Sequence, residues 1–289
     1  MKRTSLKIIL FSVFLLSCLT AAAQSLPFKG GEELRYVVHY KWGVNADLAE
    51  LNLKCEDDTY NGIPCLHAVG YVSTYKFWDS FYKVRDIYEC RFTNDAAMLP
   101  LEYGRDVKES KYWAKNHMVW RDPLNSTKVS SIKVNITKST KPPVDTVYDE
   151  GVFIRDMINV IYYMRTQDLS AIGTSKVVTV VADRDMLNLK MRIIGEETVN
   201  LKNVGKVRAV KVGVAITPKK QFDYHKHSGI QLDVQESDGT FFGGEKVFIW
   251  YSTDASRTPV LFSAPLKVGS INGRLDSYKN TIRPLKLEK

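Results

Sequence analysis

The residues best placed for chemistry form a short run of carboxylate and imidazole side chains, Asp223-Tyr224-His225-Lys226-His227. On an extended strand, alternate residues face the same way, so Asp223, His225 and His227 could converge on a metal ion. Lys226 and a pair of lysines just before the run would repel such a cation. A solvated polar loop is therefore the preferred interpretation, and we predict no metal site and no cofactor.

Sequence motifs of known catalytic chemistry are absent from the chain. It contains no H-E-x-x-H, no G-x-S-x-G, no Gly-rich phosphate loop and no C-x-x-C pair. We therefore predict no catalytic residues and a protein that is not an enzyme. A hydrolase-like enzyme without a recognisable motif is the minor alternative, and it would require convergent polar side chains with shifted pKa values.

An aromatic stretch from Tyr75 to Tyr82 is richer in rings than a one-sided strand needs. Core packing is one explanation. The other is a surface for an apolar or sugar ligand, because both ligand types are bound by aromatic side chains. On that interpretation Phe77, Trp78 and Phe81 are candidate ligand-binding residues.

Basic residues supply the second half of such a site. The chain carries nine net positive charges, and acids are missing both between Asp122 and Asp145 and between Glu197 and Asp223. A solvated strand face explains these lysines simply. The alternative is a basic patch for an anionic partner, with Lys133, Lys206 and Arg208 as candidates. Nucleic acid is excluded as a partner because no recognition motif is present.

Two further modifications are predicted from short signals. Cys55 and Cys65 flank the turn-like Tyr60-Asn61-Gly62, and a wide loop there would allow a disulfide, whereas a tight two-residue turn pairing Tyr60 with Ile63 would not place them opposite each other. Thr146, in Asp145-Thr146-Val147, resembles the acceptor of a short O-glycosylation signal.

The first residues predict where the protein works. Lys2, Arg3 and Lys7 precede a short apolar run that ends in Ala21-Ala22-Ala23, the pattern of a secretory signal peptide over residues 1–23. Cleavage there would export the chain to the periplasm or outer envelope. A lipoprotein anchored at Cys18 is the minor alternative. No later apolar run is long enough to span a membrane.

Period-two alternation dominates the mature chain and predicts a mainly β fold of two similar curved antiparallel sheets or half-barrels. Apolar residues at three-and-four spacing predict one central buried helix over 151–165, begun by Asp149 or Glu150. The Pro142-Pro143 linker before this helix divides a first β half, 24–145, from the helix and second β half, 146–289. The two halves are expected to form one compact domain.

A weak internal repeat supports that division. Residues 92–103 read FTNDAAMLPLEY and residues 251–262 read YSTDASRTPVLF, so that Asp95, Ala96 and Pro100 align with a second Asp, Ala and Pro. The alignment predicts that the two halves arose by internal duplication.

Several segments together resemble a known family. Gly31 to Tyr36, Tyr40 to Gly43, Tyr82 to Asp86, Asp156 to Arg165 and the ending from Thr258 to Gly269 resemble the Bacteroidetes members of the family called domain of unknown function 3108. The resemblance covers most of residues 28–278. It implies a β-rich exported protein of a Gram-negative envelope, and it supplies no activity and no catalytic residue.

From these observations we expect a non-catalytic envelope protein that binds an amphipathic or anionic ligand, such as an envelope lipid or glycan. A structural component of an envelope assembly is the alternative. It would need an exposed apolar patch or an unpaired strand edge.

Overall fold

The computed structural model describes residues 25–42, 44–125, 130–149, 151–183, 185–218, 247–265 and 269–289. The predicted signal peptide 1–23, Cys18 and the Asp223-to-His227 run all lie outside these residues, so the structure bears on none of them.

The alternating sequence folds into strands whose apolar positions face one side and whose polar positions face the other. The strands are β1 (Glu32–Trp42), β2 (Val44–Tyr60), β3 (Ile63–Thr74), β4 (Arg85–Thr93), β5 (Pro100–Glu109), β6 (Tyr112–Arg121), β7 (Ser131–Lys138), β8 (Lys141–Asp149), β9 (Ile154–Asp156), β10 (Ser175–Ala182), β11 (Asp185–Leu201), β12 (Gly205–Pro218), β13 (Val247–Ser252), β14 (Pro259–Pro265), β15 (Ser270–Lys279) and β16 (Leu287–Glu288). Two short helices are α1 (Lys76–Asp79) and α2 (Asn159–Arg165).

The mainly β prediction is confirmed, but the strands form one continuous sheet rather than two. Its order is β8-β7-β6-β5-β4-β3-β2-β1-β15-β14-β13-β12-β11-β10-β9, and β16 adds to β12. Only β9 and β10 pair in parallel among the described strands; the other ladders are antiparallel. The two predicted halves are thus two meanders, joined where β1 pairs with β15.

The sheet curls until its two ends approach each other without a ladder between β8 and β9 in the described residues. Ser130, just before β7, donates its backbone N–H to the carbonyl of Val152 at 2.8 Å, and its hydroxyl accepts from the N–H of Ile154 at 2.9 Å. The indole of Trp120 donates to the Ile154 carbonyl at 2.9 Å. These hydrogen bonds connect β6 and the residue before β7 to β9 and the residue Val152 just before it.

The central helix is buried as predicted, but the predicted bounds 151–165 are wrong. The helix α2 begins at Asn159, and residues Ile154–Asp156 form the strand β9. Pairing with β10 holds this stretch extended. The carboxylate of Asp156 accepts the N–H groups of Ile158 and Asn159 at 2.9 and 2.7 Å, whereas the predicted Asp149 lies at the end of β8 and Glu150 lies outside the described residues.

The helix α2 packs between two clusters of buried side chains. Tyr162 lies in the first cluster, with its ring 4.8 Å from that of Phe28 and 5.7 Å from that of Phe92. Val160 and Met164 lie in the second cluster, against β10, β11 and β12. The helix therefore fills space inside the curled sheet.

The two aligned Asp-Ala turns have the same backbone geometry. In the β4–β5 turn, Thr93 exchanges hydrogen bonds with Leu99, its N–H donating to the carbonyl at 3.0 Å and its hydroxyl accepting from the N–H at 2.9 Å. In the β13–β14 turn, Ser252 and Thr258 exchange the same two bonds at 2.8 and 2.9 Å. Each turn also follows a bulge at its preceding strand.

The Pro142-Pro143 pair is not a linker. Both residues lie in β8, at the edge of the sheet. Proline is tolerated on an edge strand because the outer side of that strand needs no N–H donor for the ladder.

Candidate functional site

The candidate site centres on α1, which lies between β3 and β4 at one end of the sheet, here called the α1 end. The N–H of Tyr75 and the indole of Trp78 both donate to β2, at the carbonyls of Leu48 and Asp47, each at 2.9 Å. Asp79 accepts from the Arg85 guanidinium at 2.6 Å. These contacts fix a very short helix that buries none of its own residues.

The predicted aromatic candidates meet on this helix. The rings of Phe77, Trp78 and Phe81, here called the aromatic cluster, lie with their centroids 5.0 to 5.9 Å apart. Phe77 is 68% exposed and Phe81 is 72% exposed. Core packing therefore does not explain them, because large apolar side chains exposed together mark an interaction surface.

Cations surround the aromatic cluster. Lys76 and Lys83 flank it in sequence, and Lys111 follows Ser110, whose N–H donates to the Lys83 carbonyl at 2.8 Å. All three lysines are exposed. The single acid on the helix, Asp79, is held by Arg85, and its pKa is lowered by the hydrogen bond from that guanidinium. The surface therefore combines apolar rings with three exposed lysines, and one exposed carboxylate, that of Asp47, adjoins Trp78.

Two buried carboxyl groups, Asp86 and Glu109, are here called the acid pair. They lie next to residues 75–84, the segment that carries the aromatic cluster. Asp86 is the second residue of β4 and is 1% exposed, and Glu109 ends β5 and is 2% exposed. The hydroxyl of Tyr82 donates to Glu109 Oε2 at 3.0 Å. The N–H of Lys108 donates to Asp86 Oδ1 at 3.0 Å.

Burial is the main cause of the raised pKa values of Asp86 and Glu109. Desolvation, followed by the negative charge of Asp86, raises the pKa of Glu109 to about 7. Desolvation also raises the pKa of Asp86. Two neighbouring buried carboxyl groups do not both ionise easily, so ionisation of the second carboxyl is shifted toward neutral pH.

Sequence reasoning missed the acid pair. Asp86 and Glu109 are distant in sequence, and the pairing of β4 with β5, extended by the bridge between Val84 and Glu109, brings them together. One available signal was the polar Asp86 at the inward position of the alternating stripe that continues through Tyr88, Cys90 and Phe92.

The three predicted cations do not join the aromatic cluster. Lys133 is exposed in the middle of β7. Lys206 and Arg208 begin β12 at the opposite end, where the Arg208 carbonyl accepts the N–H of Thr253 at 3.0 Å. Arg208 is also engaged by Glu196 at 2.8 Å. These residues carry no part of the candidate site described here.

The predicted Cys55–Cys65 disulfide is contradicted by the structure, in which both are free thiols. The Asn-Gly turn is the tight one, pairing Tyr60 with Ile63, so Cys55 lies opposite Ala68 and Cys65 opposite Asp58. Because Cys65 and Ala68 are an odd number of residues apart, the two sulfur atoms point to opposite faces of the sheet. Thr146 is exposed on β8.

A shallow depression of about 340 Å³ lies on the outer face of β4 to β7, around Gly104. Two of its lining side chains are paired with neighbours, whereas Arg105 Nε, Asp106 Oδ1 and Asn116 Oδ1 are buried without a hydrogen-bond partner among the described residues. Glu89 contacts His67 at 3.0 Å, and His117 contacts Glu102 at 2.8 Å. No group of three metal-ligating side chains occurs in the described part of the chain. Nor does that part contain a helix long and apolar enough to cross a membrane.

Comparison with solved structures shows a β-barrel-like fold class. The chain is similar to the beta-barrel-like protein of domain of unknown function DUF1849 from Brucella abortus, with a TM-score of 0.50 and 9% identity, covering 88% of this chain and 99% of that one. At this identity the likeness concerns the fold alone. No curated protein matches the chain. The family model for protein of unknown function DUF3108 matches residues 35–276, so the chain belongs to that family.

Proposed function

We propose that this protein is a non-catalytic envelope protein that binds the surface of an anionic, amphipathic partner, namely membrane lipid, through the aromatic cluster. The observation that carries the proposal is the exposure of Phe77 and Phe81 on a helix fixed to the sheet. Fixed rings bind with little loss of conformational entropy.

The chemistry of the surface favours a lipid headgroup region. Transfer of each phenyl side chain out of water is worth about 1.5–3 kcal/mol. Each lysine near an anionic bilayer adds about 1 kcal/mol, and Lys76, Lys83 and Lys111 are placed to do so. Trp78 keeps its indole N–H bonded to protein, so its ring adds apolar area without an unpaired donor.

Enclosure of an acyl chain has less support than surface binding. The inward side chains of β3 to β7 and β10 to β12 pack against one another and against α2 in the two buried clusters. We therefore place the lipid contact outside the sheet.

The setting of this function is part of the proposal. We propose export to the periplasm or outer envelope by the signal peptide 1–23, with Thr146 as an O-glycan acceptor on the exposed edge strand. We also propose that the two meanders arose by internal duplication, which the equal geometry of the turns at Thr93 and Ser252 supports.

Vesicle co-sedimentation tests the function. Wild-type protein should sediment with phosphatidylcholine vesicles containing phosphatidylglycerol, and less with phosphatidylcholine alone. The double variant Phe77→Ser/Phe81→Ser should bind at least about 10-fold more weakly, since 1.4 kcal/mol is tenfold.

The matched control is Leu124→Ser, which removes a side chain that is 52% exposed beyond the far end of β6. It should bind like wild type. Wild-type protein that ignores both kinds of vesicle, or a double variant that binds unchanged, would overturn the proposal. The first result would favour an envelope assembly component instead.

A further inference from the structure

We infer that the acid pair is a pH-sensitive latch for the segment that carries the aromatic cluster, residues 75–84. This inference rests on the proposed function, because it describes how binding at that surface is regulated.

The segment is held to β5 by few contacts, and they converge on the acid pair. Lys83 and Ser110 exchange two hydrogen bonds, from the Ser110 N–H to the Lys83 carbonyl at 2.8 Å and from the Lys83 N–H to the Ser110 hydroxyl at 3.2 Å. Val84 bridges Glu109. The Tyr82 hydroxyl, bonded to Glu109, is the side-chain tie on the same short stretch.

Charged and titratable groups face the acid pair from each element packed against it. They are Tyr82 from the segment, Tyr88 from β4, Arg105 from β5 and Tyr112 from β6. Desolvation raises the pKa of the three tyrosines, so they stay neutral between pH 5 and 8. Arg105 stays charged, since neighbouring tyrosines and Asp183 raise its pKa despite burial. Only the acid pair changes charge within this group over that range.

The sign of the effect follows from linkage. A carboxyl whose pKa is raised from its ordinary 4.5 to about 7 binds a proton in the closed segment that it loses when the segment opens. Closure is therefore fully favoured below the ordinary pKa and weakens as pH rises toward 7. Above 7 a second negative charge is buried, and opening relieves it by admitting water.

Opening also weakens binding to an anionic surface. The segment loses its contacts to β5 next to Phe81, although Trp78 stays bonded to β2, and the protein gains a negative charge at Glu109. Binding to anionic vesicles should therefore be stronger at pH 5 than at pH 8.

Amide hydrogen exchange without lipid tests the latch itself. In wild-type protein the protection factors of the Lys83 and Ser110 amides should fall by up to about 70-fold from pH 5 to pH 8, because the closed segment binds the Glu109 proton with a pKa of about 7 and the open segment with its ordinary 4.5. The amides of Leu99 and Thr258, at the opposite end, serve as internal references. Glu109→Gln, which keeps the size and the acceptor for Tyr82, should make protection independent of pH.

A second variant, Asp86→Asn, tests the latch if Glu109→Gln fails to fold. It removes the negative charge that helps raise the pKa of Glu109, so protection should be lost at a lower pH than in wild type. Wild-type protection at Lys83 that follows the reference amides at every pH would overturn the latch. If protection depends on pH but no vesicle binding occurs, the latch stands and the proposed function fails. If vesicle binding occurs with protection unchanged by pH, the function stands and the latch fails.

Discussion

The strands of the curled sheet run between the α1 end and an opposite end near α2, here called the α2 end. These two ends are held by different electrostatic contacts. At the α2 end, Arg165 and Glu32 are both fully buried and form two charged hydrogen bonds at 2.5 and 2.8 Å. At the α1 end, Arg105 faces the acid pair but forms its ion pair with Asp183, and we infer that the acid pair is held closed by a proton. An ion pair keeps its charges across the physiological pH range, so the α2 end should stay closed there, whereas the α1 end should respond to pH as inferred above.

The largest expected effect comes from removing Glu32, which forms the ion pair with Arg165 at the α2 end. Glu32→Ala leaves the Arg165 guanidinium buried without its carboxylate, which should cost about 3–5 kcal/mol of unfolding free energy. Urea denaturation followed by circular dichroism measures this cost. The neighbouring Glu33→Ala, at a position 41% exposed, is the control and should change stability by less than about 0.5 kcal/mol. Equal values for the two variants would contradict the comparison.

A second variant, Arg155→Met, tests another contact at the α2 end. There the β4–β5 turn and the β13–β14 turn each accept hydrogen bonds from a different arginine. Arg165 donates to the Ser256 carbonyl at 2.8 Å, and Arg155 donates to the Ala97 and Met98 carbonyls at 3.1 and 2.7 Å. Desolvation lowers the pKa of Arg155 to about 10, whereas the Glu32 carboxylate holds that of Arg165 above its usual value.

Because Arg155 donates to carbonyl oxygens and to the Asn159 amide oxygen rather than to a carboxylate, Arg155→Met should cost less than Glu32→Ala, about 1–3 kcal/mol from the unsatisfied carbonyls. The same urea titration ranks the two. A cost above that of Glu32→Ala would show that turn contacts, rather than the buried ion pair, hold this end.

The smallest expected effect lies at the α1 end. Phe77→Ser/Phe81→Ser should shift unfolding free energy by less than about 0.5 kcal/mol, because both rings are mostly exposed. Thermal unfolding of the variant beside wild type measures the shift. A loss of several kcal/mol would mean that the rings support the fold and are not free for a partner.

Much of the fold could be predicted from sequence because strand alternation is a local pattern. The turn containing Asp95 and its counterpart at Asp254 were visible as a repeat, and the exposed aromatic stretch was visible as an excess of rings. The helix was overextended because Ile154 fits both a helical stripe and a buried strand. Only pairing with β10 decides between them.

The acid pair and the Glu32–Arg165 pair could not be predicted because nothing local marks them. Glu32 lies 133 residues from Arg165, and their contact exists only once the sheet has curled. The disulfide prediction was wrong for a related reason, because the contact depends on strand pairing and not on local sequence. Which face Cys65 occupies depends on the strand register, and a change of one residue reverses it.

The pairing of β1 with β15 has a consequence for how the chain folds. Leu34 lies opposite Tyr278, so this ladder joins nearly the whole length of the chain, whereas each meander pairs neighbours in sequence. Closing so long a loop is entropically costly and contributes a high contact order. During synthesis β1 has one unpaired edge until β15, almost the last strand, has emerged. The seam between the meanders is therefore the slowest contact to form and the stage most exposed to aggregation.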